Sequence, residues 1–168
     1  MVLTDIVKQF DLTRDALLKT VETVTESEAE RVPDGFNNSI KWHAGHTLFA
    51  TNRAFEIFES ASYLPDHYGE LFKPGTSPRD WTTGAPTLRQ LIEQLELQKG
   101  KIREVFSHRT DHRLEPPFQL KAYGGLELHT AGELLNFFIF HEAMHVGHIK
   151  TFKQLLQTDE QAADTAAK

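Results

Sequence analysis

The chain has 168 residues, no cysteine and a formal net charge of −6, from 24 acidic and 18 basic side chains. The missing cysteines exclude disulfides, thiolate-bound zinc and a cysteine nucleophile, so any thiol chemistry must use a thiol from outside the chain. Lysine and arginine are scattered, which argues against nucleic acid as a partner; no apolar run reaches the roughly 18 residues of a membrane span; and the N-terminus lacks a signal peptide's basic flank and unbroken apolar stretch. The expectation is a cytoplasmic protein with a small-molecule partner, its one domain spanning residues 1–157. A monomer and a homodimer both remain open.

Residues 2–24 carry Leu3, Ile6, Val7, Phe10, Leu17, Val21 and Val24 at helical spacing and read as a first amphipathic helix. Residues 25–37 are acidic and then turn-like at Pro33-Asp34-Gly35, a connection. Asn38 or Ser39 can cap a second helix reaching about residue 60, whose apolar stripe holds Trp42, Phe49 and Ile57, with His46 inside it and His43 on its flank. Arg53 and Glu56 also project into that stripe. Inward charges are paired, snorkelling, or lining a cavity.

Four prolines and three glycines over residues 61–86 argue against regular structure there. Tyr63, Tyr68, Phe72 and Trp81 give this long crossover enough apolar surface to pack down. Thr87 with Gln90 has the form of a capping box for a third helix to about residue 108, with Lys99 at the centre of its apolar stripe. A short hairpin is expected across residues 118–129. A fourth helix should follow over 131–157, opened by Thr130 and Glu133, and the alanine-rich tail 158–168 should fray. Four long amphipathic helices make an all-α four-helix bundle the natural architecture.

The fourth helix is unusual. At about 100° per residue, Leu134, Phe138, His141, His145, His148, Phe152 and Leu156 fall within roughly 80° of one another. Three imidazoles thus lie in the stripe that should face the core, and His141 and His145, one turn apart, have the spacing at which two imidazoles reach one metal ion. Core histidines paired with carboxylates are the alternative. A catalytic metal wants three protein ligands and an open position, and His46 on the second helix is the best-placed third. His148 competes, but the rise from His141 is about 10.5 Å, too far for both to share one ion comfortably.

His141-Glu142-Ala143-Met144-His145 also matches H-E-x-x-H, in which Glu142 would be the general base of a zinc protease. The context is missing. His148 and Thr151 stand where the extended form needs Gly and His, only a polar tail follows, and the substrate-holding sheet is not apparent.

Trp42-His43-Ala44-Gly45-His46, with His141-x-x-x-His145-x-Gly147 about 95 residues on, resembles the DinB/YfiT-like superfamily over nearly the whole chain. The resemblance implies an up-down-down-up bundle with one divalent metal held at one end by His46, His141 and His145; all-nitrogen ligands suit Zn, Ni, Fe(II) or Cu. Where many members continue Gly-Gln-Ile, this chain has Gly147-His148-Ile149, which leaves the role of His148 open. Some similar proteins transfer or use a low-molecular-weight thiol as cosubstrate, and others are labelled metal-dependent hydrolases. A metal-dependent thiol transferase is therefore the leading expectation, ahead of a hydrolase and of a non-enzymatic module locked by its metal. His148, Glu142, Arg53 and Glu56 are the candidates for catalytic roles beside the ligands.

Overall fold

The computed structural model describes residues 4–82 and 84–166. Among them are six α-helices and one two-stranded sheet: α1 (Thr4–Val21), α2 (Glu26–Glu30), α3 (Ile40–Glu59), α4 (Tyr68–Phe72), α5 (Leu88–Phe106), β1 (Arg113–Leu120), β2 (Leu126–Thr130) and α6 (Ala131–Ala166). The protein is mostly helical.

Local chemistry sets the helix starts. The Ser39 hydroxyl accepts from the Trp42 amide, opening α3. Thr87 and Gln90 close a reciprocal capping box on α5, and Thr130 and Glu133 do the same for α6. A third box, Thr25 with Glu28, nucleates α2 inside the stretch expected to be a plain connection. Its Thr-x-x-Glu signature was there to be read. α6 continues through Ala166, beyond the expected end at 157, because Ala, Gln and Glu favour helix even without burial. Whether the tail's side chains pack lies outside the described residues.

The crossover holds α4 and a 3₁₀ turn at Pro78–Asp80, where no regular structure was expected. Tyr68, Leu71 and Phe72 are buried, and the Trp81 indole donates to the Leu71 carbonyl at 3.0 Å. The hairpin starts earlier than expected, at Arg113, and pairs Phe118 with Leu128 and Leu120 with Leu126. Its tip turns through Gly124 and Gly125, both at positive φ (70° and 79°), a region that glycine enters without a Cβ penalty.

α1 and α3 each pack against both α5 and α6. Side-chain pairings give the directions. Arg14 meets Glu142 and Thr23 meets Lys153, so α1 and α6 run the same way. Asp11 pairs with Arg103 and Asp15 with Lys99, so α5 runs against α1. His43 meets His145 and His46 meets His141, so α3 runs against α6.

Two apolar cores result. One gathers Leu17, Leu48, Leu95, Ile149 and their neighbours; the other gathers Phe10, Phe55, Ile102 and Leu134. Between them lies a polar layer. Arg14, fully buried, is held by both oxygens of the equally buried Glu142 at 2.8 and 2.9 Å, by the Leu95 carbonyl at 2.8 Å and by Gln98 Oε1 at 3.0 Å. Gln98 in turn donates to the Leu48 carbonyl at 2.9 Å, so the layer ties together all four long helices. The centre of the α5 stripe is therefore Gln98 rather than Lys99, which reaches the edge and pairs with Asp15.

Candidate metal centre

His46 projects from α3, and His141 and His145 from successive turns of α6. The Nε2 atom of His141 lies 3.3 Å from Nε2 of His46 and 3.3 Å from Nε2 of His145. One ligand atom from each of the three falls within 4.8 Å of the others. Two nitrogens bound tetrahedrally at about 2.0–2.1 Å to one ion would stand about 3.3–3.4 Å apart, so this spacing suits a shared cation. The three sit beside the polar layer. Gln98, which is part of the polar layer, bonds α3 two residues from His46, and Glu142 adjoins His141 in sequence.

The rings are oriented from behind. Nδ1 of His46 is 2.7 Å from the Phe72 carbonyl; an N–H facing a carbonyl must donate, so the neutral ring presents its Nε2 lone pair to the other histidines. Trp42 stacks on the same ring at 4.6 Å between centroids, and its own N–H is anchored on Thr76 of the crossover at 2.9 Å. Nδ1 of His145 is 2.8 Å from Nδ1 of His43, a buried partner that can accept its proton and so free Nε2. Nδ1 of His141 is buried and has no hydrogen-bond partner among the described residues. Its Nε2 is thus the one ring nitrogen with neighbours, and those are two other imidazoles. Lone pairs aimed at one another invite a cation. The donor set fits a divalent ion.

Burial keeps these rings neutral, the form in which imidazole binds metal. Desolvation, with His141 and the other histidines adding like-charge repulsion, lowers His145 to about 2. Desolvation and then His46 bring His141 to about 4. Desolvation, then His148 and His46, bring His43 to about 3. Desolvation also lowers His46, against the opposing pull of the Phe72 carbonyl.

An apolar cavity of about 580 Å³ opens beside His46 and His141. Phe49, Phe118, Leu120, Tyr123, Phe137 and Phe138 form its walls, contributed by α3, the hairpin and α6. Of the inward charges expected from the sequence, Arg53 lines this cavity; Glu56 pairs with Arg53 at 3.2 Å, and Lys99 lies away from it with Asp15. Glu142 has both carboxylate oxygens on Arg14 in the core. His148 is exposed, stacks on His43 at 5.2 Å and lies 6.1 Å from the His145 ring between centroids, at the rim of the triad. Phe152 packs edge-on against His43, and Met144 is exposed. The sequence reading left His43 on a flank and passed over Arg14 and the Phe72 carbonyl. Arg14 could have been found, since it fills the gap between Phe10 and Leu17 in the α1 stripe.

Facing helices that bring three neutral imidazoles together beside an open apolar cavity define a class: helical proteins able to hold a divalent ion on histidines alone. Residues 9–149 match the family model described as DinB superfamily, and the chain belongs to that superfamily. A crystal structure of a conserved protein from Enterococcus faecalis has the same fold, with a TM-score of 0.64 at 17% identity over 92% of this chain and 96% of that one. No curated protein matches the chain. Among the described residues no helix is long and apolar enough to cross a membrane.

Proposed function

We propose that the protein is a metal-dependent enzyme whose ion is held by His46, His141 and His145, and that it transfers a low-molecular-weight thiol of the cytoplasm onto an electrophile. The four long helices are read here as a four-helix bundle in up-down-down-up order, a reading supported by the pairing directions of α1, α3, α5 and α6. One observation carries the functional reading: three Nε2 atoms converge, and two of their rings, His46 and His141, line a cavity. A purely structural ion would be enclosed by protein ligands, whereas three histidines would leave a divalent ion short of a closed set, with two of them on the cavity wall. A divalent ion on neutral imidazoles keeps its full charge and lowers the pKa of a thiol or water brought to it.

The chain's own residues do the rest. The Phe72 carbonyl holds His46 in the required tautomer, His43 can accept from His145 to do the same there, Trp42 fixes the plane of His46, and the aromatic walls exclude water and favour an apolar electrophile. A hydrolase acting with water is the second reading, since the same geometry serves it. Elemental analysis of the purified protein should find about one divalent ion per chain, as a three-histidine site holds, and His141→Ala should lose it while keeping its helical circular dichroism. A panel of low-molecular-weight thiols and electrophiles should then give turnover that vanishes in His141→Ala. Metal retained in His141→Ala sinks the site; metal bound normally with turnover independent of added thiol moves the hydrolase ahead.

A further inference from the structure

The functional reading leaves the substrate open, and the cavity narrows it. We infer that the cavity takes an amphipathic anion: an apolar, aromatic-sized body against the phenylalanine walls, with a carboxylate- or phosphate-type group held by Arg53 and Lys73. The inference rests on the proposed site in placing the reacting end at the histidines, but its binding claim stands without the metal.

Among the described residues, Arg53 from α3 and Lys73, just beyond α4, are the charged side chains that line the cavity beside its two neutral histidines, and no carboxylate does. In a chain carrying six more negative charges than positive ones, two cations meeting at one apolar cavity run against the overall balance. Neither cation is strongly engaged. Glu56 meets Arg53 through one nitrogen at 3.2 Å, an i,i+3 pair with the Arg53 side chain 51% exposed, and such pairs are weak. Lys73 has no carboxylate partner among the described residues.

The cavity volume of about 580 Å³ lies within the range of small-molecule sites, and aromatic walls with a few placed polar groups are their usual lining. Position supplies a length. His46, Phe49, Ala50 and Arg53 line the cavity from one face of α3, and the seven-residue step from His46 to Arg53 is a rise of about 10.5 Å. The anionic group and the reacting atom therefore stand roughly 10 Å apart, with the apolar body between them. Arginine offers a planar fork suited to carboxylate and phosphate alike, so both groups belong in the test.

Isothermal titration of the purified protein with 2-naphthylacetate, 2-naphthyl phosphate and the neutral 2-naphthaleneethanol tests this, with amide NMR shifts locating the probe. At least one anion should bind about five- to tenfold more tightly than the alcohol, as two partly exposed charge contacts give. The tighter anion identifies the group. Arg53→Gln with Lys73→Gln should abolish the preference and leave the alcohol's affinity, and the preference should survive EDTA. Shifts should fall at Ala50 and Ala122. Three results overturn the inference: no preference for an anion, or no binding at all; a preference that EDTA removes and the double variant does not, which puts the anion on the metal; or shifts at Leu126 of β2 and Phe140 of α6, which line a separate pocket. Metal content measured on the same sample reports separately on the histidine site, so the two readings fail independently.

Discussion

Glu142 shows how far a side chain's meaning depends on its partner. Inside H-E-x-x-H it reads as a general base, yet its carboxylate is fully buried and gripped by Arg14 at both oxygens, with the guanidinium also against the Phe10 ring at 4.9 Å. Removing one member of such a pair strands the other charge without water, which costs about 3–5 kcal/mol, whereas replacing both by apolar residues is often close to neutral. Glu142→Gln should therefore lower the urea midpoint sharply, and Arg14→Met with Glu142→Met should recover most of the loss and still bind metal. Equal loss in the single and double variants would contradict this account. The pairing explains why the motif misleads: nothing within five residues shows that the acid's partner lies 128 positions away.

At the scale of elements, α4 earns its place through Gly45, the glycine of the Trp-His-Ala-Gly-His stretch. A Cβ at that position would overlap the Phe72 ring, so the missing side chain lets α4 seat directly on α3 and deliver the Phe72 carbonyl to His46. Gly45→Ala should cost about 1–3 kcal/mol of stability, as overpacking does, and weaken metal affinity about 10- to 100-fold, as loss of an orienting partner does. Competition against a chelator measures the second effect; unchanged affinity would mean that Phe72 does not orient the ring. The long helices were legible because apolar spacing and capping residues repeat over many turns, and His46, His141 and His145 were legible because they interrupt that pattern. The short α4, the first residues of β1 and the true centre of the α5 stripe were not. A five-residue helix is stabilised by what it lies on rather than by its own sequence, and Lys99 and Gln98 are neighbours that periodicity alone cannot rank.

For the whole molecule, the buried histidines link stability to pH. His43, His141 and His145 fall to about 3, 4 and 2, and His46 is lowered too, whereas the unfolded chain titrates near the ordinary value of 6.5. Below that value the unfolded state takes up protons that the folded state refuses, so stability is complete above about pH 6.5 and drains away as pH falls toward the folded values. Urea midpoints of the metal-free protein at pH 7.5, 6.5, 5.5 and 4.5 should fall on the acid side, and replacing His43 and His145 together should flatten the profile. A level profile between 7.5 and 4.5 would show that these rings take up protons in the fold as readily as in the unfolded chain. The polar layer between the cores has a further bearing on this site. Helices joined only by hydrocarbon stripes can slip by a turn, about 5.4 Å, and find equally oily neighbours. Here any such slip buries an unneutralised guanidinium, so the layer acts as an index pin against screw-like sliding. The alignment of His46 with His141, which must hold to tenths of an ångström for one ion, inherits its precision from charges that never touch it.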